Sequence, residues 1–178
     1  MAAPSSASTV IKQAHDGGSV VLADGTATPL TITLKFDNAD FKLDGASKDL
    51  REVVTYTGRG KTRGVRYGAP KYPTWSCSVQ VADLSESSAG TVLDWLNKIA
   101  PFAARVSTMS IGEVDAMTVT FNQEGTSYGD SLDQAIKVEQ ATVDAWSFSE
   151  GAPNTISLSG TVYGDVYVDG VKHATAPR

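Results

Sequence analysis

Apolar and polar residues alternate along much of the chain. In TPLTITLKF, starting at residue 28, Leu30, Ile32, Leu34 and Phe36 fall on one side and Thr31, Thr33 and Lys35 on the other. TWSCSVQVADL repeats the pattern with Trp75, Cys77, Val79 and Val81. MTVTF sets Met117, Val119 and Phe121 against Thr118 and Thr120, and NTISLSG sets Ile156 and Leu158 against Thr155, Ser157 and Ser159. Period two predicts half-buried strands. Between residues 136 and 148 the apolar phase shifts from Val138 to Ala141, which predicts a bulge or bend. Asp24-Gly25 and Asp169-Gly170 offer two-residue hairpin turns.

One segment follows a different period. Over residues 88–100, Val92, Trp95, Leu96 and Ile99 have the i, i+3, i+4, i+7 spacing of an amphipathic helix. Ser87 or Ser88 can cap its start and Pro101 stops it. Such a helix needs an apolar surface, and these four side chains are expected to pack it on a sheet. Together the elements predict a mainly β fold: a two-sheet β-sandwich or barrel with one flanking α-helix and a long basic loop. One domain is expected over residues 1–178, with flexible ends at 1–17 and 171–178.

Composition then narrows the function classes. The chain has 178 residues, 15 basic against 20 acidic, for a net charge of −5. That balance argues against a nucleic-acid coat protein. One cysteine excludes an intrachain disulfide and a Cys-rich zinc site, and two histidines leave little room for His-based catalysis. Dinucleotide-binding, P-loop, zinc-protease and nucleophile-elbow motifs are absent. The GKT of RGKTRG lacks the first P-loop glycine. The acids at Asp37, Asp40 and Asp44 read as turn residues rather than a calcium loop. No enzyme activity, no metal and no cofactor are expected. Cys77 reads as a buried thiol, and Trp95 and Trp146 as core anchors. The N-terminus has no apolar signal region and no segment is long enough to span a membrane, so a soluble protein made in a reducing cytoplasm is expected.

Residues 57–72, TGRGKTRGVRYGAPKY, stand out. Arg59, Lys61, Arg63, Arg66 and Lys71 lie here among four glycines, with no acid between Glu52 and Asp83. Three readings are open: a solvated hairpin tip, a docking arm that meets an acidic neighbour, or a nucleic-acid contact using Tyr56, Tyr67 and Tyr72.

The layout resembles one known family. A strand-rich opening leads to the Gly/Lys/Arg loop, then the P-x-W-S-C-S-V-Q-V-A-D strand and a helix of the form S-x-G-T-V-L-D-W-L-N-K. EGAPNTISLSGTVYGDV follows near the C-terminus. Over residues 30–168 this is similar to the tail tube (major tail) proteins of long-tailed bacteriophages. The resemblance implies a structural virion protein, made in the host cytoplasm, whose rings, hexameric in the family, stack into a hollow tube. Its partners would be itself and the tail terminator, baseplate or tape-measure proteins, with DNA as transient cargo and no membrane. It makes Arg59, Lys61, Arg63, Arg66, Tyr67, Lys71 and Tyr72 an inter-ring docking arm, expected to order only on stacking. The polar positions Thr118, Thr120, Ser157, Ser159 and Thr161 become lumen candidates, since a conduit should lack the cations that hold phosphate. A capsid decoration or head–tail joining protein and a carbohydrate-binding β-sandwich are the alternatives.

Overall fold

A computed structural model describes residues 18–34, 40–80, 90–110, 113–123, 132–151 and 154–176. In chain order these hold β1 (Gly18–Ala23), β2 (Thr31–Leu34), β3 (Lys42–Asp44), β4 (Arg51–Gly58), β5 (Lys61–Pro70) and β6 (Thr74–Gln80). The short helix α1 (Val92–Asn97) follows, then β7 (Ala116–Gln123), β8 (Gln134–Thr142), β9 (Ala145–Ser149), β10 (Thr155–Thr161), β11 (Val166–Val168) and β12 (Val171–Ala174). A six-stranded sheet runs β12-β11-β8-β7-β1-β2, a four-stranded sheet β3-β6-β10-β9, and β4-β5 stand apart as a two-stranded ribbon. All these strand pairs are antiparallel. The sheets stay open, so the sandwich is the observed form and the barrel is not.

Period two decides which side chains the sheets bury. Val20, Leu22, Ile32, Leu34, Val119 and Val138 from the larger sheet share one core with Trp75, Cys77, Val79, Ile156 and Leu158 from the smaller. The phase shift in β8 is a bulge: Met117 pairs with Ala141 but Val119 pairs with Val138, and Gln140 takes up the extra residue at φ 50°. The chain then crosses to the other sheet through Val143 and Asp144. At this corner the Trp75 indole donates to the Thr142 carbonyl at 2.9 Å, and Gly160 lies directly beneath that carbonyl.

The two turn signals behave differently. Asp169 and Gly170 both have positive φ and close the β11–β12 hairpin as a primed turn. The segment expected to fray from residue 171 is therefore a strand as far as Ala174. Asp24 closes no tight hairpin. Its buried carboxylate accepts from Thr26 (amide and hydroxyl), from the Leu30 amide and from the Val106 amide, tying the β1–β2 loop to a distant one. Burial raises its pKa, but the hydrogen bonds from Thr26, Val106 and Leu30 outweigh that and hold it below the usual carboxylate value. A lowered pKa stabilises the fold above the unfolded value of about 4, and the contribution is lost as pH falls through the folded value. Asp24→Asn presents an amide to the Val106 N–H, leaves one buried donor unpaired and should cost about 2 kcal/mol at pH 7. Urea melts of both proteins check this: the gap should narrow as pH drops below about 4, and a pH-independent gap contradicts it.

α1 is shorter than its periodicity suggests. Thr91 caps it and shares a capping box with Asp94, while Lys98 turns left-handed and ends it. The expected caps, Ser87 and Ser88, lie outside the described residues. Val92 and Trp95 are buried and Leu96 packs on the core, but Ile99 falls beyond the helix end and is exposed. Ile99 is therefore removed from the packing face. Phe102 meets Trp95 edge-on, and the buried Arg105 guanidinium lies 4.9 Å from the same ring while pairing with Asp115. Periodicity gave no hint of Arg105, because its position depends on a loop.

Cys77 is buried, as expected. Burial, and secondarily the Asp40 charge, pushes its thiol up to about 12. A thiol reagent at pH 8 should label it about a thousandfold more slowly in the native state than after unfolding. Comparable rates would mean the strand opens readily.

Candidate assembly interface

The basic segment is a hairpin whose strands begin earlier than the composition suggested. β4 and β5 pair from Arg51–Pro70 to Gly58–Lys61, and Arg59 and Gly60, both at positive φ, form the primed turn at its tip. The docking arm expected to order only on stacking is thus a formed ribbon within the single chain. At ~3.3 Å per residue its longer strand spans about 30 Å. The ribbon joins neither other sheet. At its base the Arg51 guanidinium grips Asp49 with two 2.9 Å bonds, the Lys71 amide donates to the Leu50 carbonyl, and Tyr72 packs on Tyr163.

Its two faces differ. Cross-strand pairing sets Val53 beside Tyr67 and Thr55 beside Val65, so Val53, Val65 and Tyr67 share one face. Val65 is 60% exposed and Tyr67 57%. Arg51 stacks on the Tyr67 ring at 4.4 Å. The other face carries Arg66, 5.8 Å from the Tyr56 ring. Arg59, Lys61 and Arg63 cluster at the tip. The seven arm residues therefore separate into a basic tip (Arg59, Lys61, Arg63), a central pair on opposite faces (Arg66, Tyr67) and a base (Lys71, Tyr72).

The five lumen candidates lie on two sheets. Thr118 and Thr120 are on β7, and Ser157, Ser159 and Thr161 are on β10. Both sheets turn their apolar sides to the shared core, so the two groups look out in opposite directions. Their surroundings differ in charge. Thr120 pairs across to Lys137, which with Lys172 flanks the Tyr167 ring at 5.1 and 5.7 Å. On the other sheet β6, β9 and β10 contain no charged residue. There Ser78 pairs with Ser157 with hydroxyls 2.8 Å apart, Ser157 pairs with Ser147, Ser76 with Ser159 and Thr74 with Thr161. The result is a hydroxyl surface without charged residues on β6, β9 and β10, bordered at the β3 edge by the exposed Lys42–Asp44 pair.

Among the described residues β9 is an edge strand of that sheet. Trp146 and Phe148 pair with Leu158 and Ile156 on the core side, yet they are 52% and 51% exposed. Trp146 is therefore not a core anchor, whereas Trp75 and Trp95 are buried. Alternation identifies the inward side of a strand but not how far the opposing sheet reaches over it.

No family model matches the sequence, and no curated protein is detectably similar to it. Solved structures do resemble the fold. One chain from a baseplate of the anti-feeding prophage, 6-fold symmetrised, aligns over 93% of this chain and 99% of its own at 12% identity and a TM-score of 0.49. A chain from an extracellular contractile injection system, in a structure described as the PVC sheath/tube terminator in the extended state, aligns over 92% of this chain and 99% of its own. The identity is 13% and the TM-score 0.53, so this chain shares the overall fold of that protein along nearly its whole length.

Proposed function

We propose that the chain is a non-catalytic structural subunit of a phage-like tail, of tail-tube or tube-terminator type, that closes into rings around a channel. The observation that carries this reading is the ribbon β4–β5. It is a long, basic, apolar-faced hairpin joined to neither sheet of its own chain. An isolated subunit gains nothing from keeping Val53, Val65 and Tyr67 in water, whereas a subunit in a repeating assembly buries them once per contact. The likeness of fold to a chain from a structure described as a sheath/tube terminator supports the same reading.

The hydroxyl surface of the four-stranded sheet supplies the wall. Phosphate affinity comes mainly from Lys and Arg; β6, β9 and β10 carry neither, and Lys42 on the edge strand β3 is paired with Asp44, so a duplex can slide without being held. Ser157, Ser159 and Thr161 are accordingly the lumen residues. Thr118 and Thr120, on the face with Lys137 and Lys172, turn outward to the neighbouring layer. The host cytoplasm is the place of synthesis and the assembled particle the place of function. A carbohydrate-binding sandwich would gather its exposed aromatics on one platform, whereas here they are divided between the ribbon and its base (Tyr56, Tyr67, Tyr72) and the β9 edge (Trp146, Phe148).

Sedimentation at rising concentration, followed by negative-stain microscopy, tests the proposal. Discrete rings or tubes with a central channel are expected. A monomer at every concentration contradicts it, and decoration of capsid shells identifies the joining or decoration role instead.

A further inference from the structure

Two unpartnered surfaces of this chain complement each other. The first is the β9 edge, where Trp146 and Phe148 lie half in water and, among the described residues, no strand pairs with the backbone beyond them. Asp144 precedes this strand and Glu150 follows it, and the segment from 138 to 151 carries no Lys or Arg. The second is β5 in the ribbon, whose outer edge likewise pairs with no strand among the described residues. Val65 and Tyr67 repeat there at the same two-residue spacing as Trp146 and Phe148. Lys61, Arg63 and Arg66 supply the opposite charge.

Resting on the ring-forming reading above, we propose that β5 of one copy adds as a fifth strand to the β9 edge of a second copy. Val65 and Tyr67 then cover Trp146 and Phe148, and the ribbon cations lie along the acidic ends of β9. Main-chain hydrogen bonds supply much of the contact, and the alternating side chains set its register. The two surfaces are different parts of one chain, so the contact is head-to-tail and propagates from copy to copy rather than closing as a two-fold dimer. It also accounts for an exposed edge beside exposed aromatics, an aggregation hazard unless a partner covers it.

Disulfide trapping between differently substituted full-length chains tests this. Val65→Cys and Tyr67→Cys chains are each mixed with Trp146→Cys and Phe148→Cys chains, assembled and mildly oxidised. Cys77 stays silent because it is buried. At least one of the four mixtures should give a covalent dimer at a yield about tenfold above either chain oxidised alone, since bridging needs Cα atoms within about 7 Å. Sedimentation of the unsubstituted chain runs in parallel. Oligomers without a cross-link in any mixture overturn the proposal and leave the ring-forming reading standing. Equal trapping by Val65→Cys alone overturns it in favour of ribbon-to-ribbon contact. A chain that remains monomeric overturns both. As an independent readout, Trp146→Ser/Phe148→Ser should keep the monomer's circular dichroism and raise the concentration needed for assembly at least tenfold. Unchanged assembly overturns the proposal.

Discussion

Replacing Gly160 with Ala should destabilise the protein by about 4 kcal/mol or prevent folding. A Cβ at this position would lie 1.8 Å from the Thr142 carbonyl oxygen, 2.7 Å from its carbon and 2.9 Å from the Trp75 indole nitrogen. Two of those atoms are backbone, so no rotamer change relieves the clash. The carbonyl is also held in place, because Trp75 donates to it at 2.9 Å and the adjacent Val162 amide donates to the Pro73 carbonyl at 2.9 Å. Moving the corner breaks the indole bond and leaves a buried N–H without a partner, a loss of about 1–3 kcal/mol beyond the overpacking cost of similar size. Gly64 in the exposed ribbon is the control: an added Cβ there meets nothing within 4 Å. Gly64→Ala should therefore stay within about 0.5 kcal/mol of the parent. Urea midpoints at an unchanged slope give both numbers. A loss below about 1 kcal/mol for Gly160→Ala would show that the β8–β9 corner adjusts freely.

How much of this is legible in the sequence depends on burial. Where a strand is covered on one side, alternation identifies it and its inner face. Ile32, Leu34, Trp75, Cys77, Val79, Val119, Ile156 and Leu158 are all buried as their period predicts. Even the bulge at Gln140 shows as a break in phase. Where no side is covered, alternation carries no signal. β4 and β5 are exposed nearly throughout, so glycine and cation content suggested a loop although both strands are long. At α1 the period continued through Ile99, but the left-handed turn at Lys98 ends the helix first, and a single backbone conformation is invisible to a hydrophobic count. The lumen candidates failed to converge for a third reason. Their outward orientation is a local property, whereas membership of one sheet or the other depends on pairings such as Ser157 with Ser78, which lie 79 residues apart. Trp146 and Phe148 share that limit, since their exposure follows from the place of β9 at a sheet edge.

Replacing Arg59, Lys61, Arg63 and Arg66 together with Ser should leave the monomer folded and abolish assembly at concentrations where the parent assembles. All four are exposed positions on the ribbon, outside the shared core. Surface substitutions of this kind each change stability by roughly 0.5 kcal/mol or less. Assembly responds differently because the charges act together. The chain has net charge −5, and removing four cations takes it to −9 (−5 − 4), so copies repel more strongly at the moment a basic contact is lost. An exposed ion pair is worth about 0–1 kcal/mol, so four per contact amount to no more than about 4 kcal/mol. Every 1.4 kcal/mol is about tenfold in affinity, which makes the expected loss up to about 700-fold at each interface, multiplied over the contacts of a ring. Salt supplies the matching control. Raising ionic strength from 0.1 to 1 M shortens the screening length from about 10 to 3 Å, so parent oligomers should retreat toward monomer. The substituted protein should not lose assembly with salt and should, if anything, gain it, because salt then screens only the repulsion between its acidic copies. Sedimentation of both proteins at the two salt concentrations reads all four outcomes. Equal assembly by the two proteins would reduce the hairpin tip to a solvated turn. If instead the parent binds duplex DNA at physiological salt and the substituted protein does not, the tip is a phosphate contact, and the face that meets nucleic acid is the ribbon rather than the hydroxyl sheet.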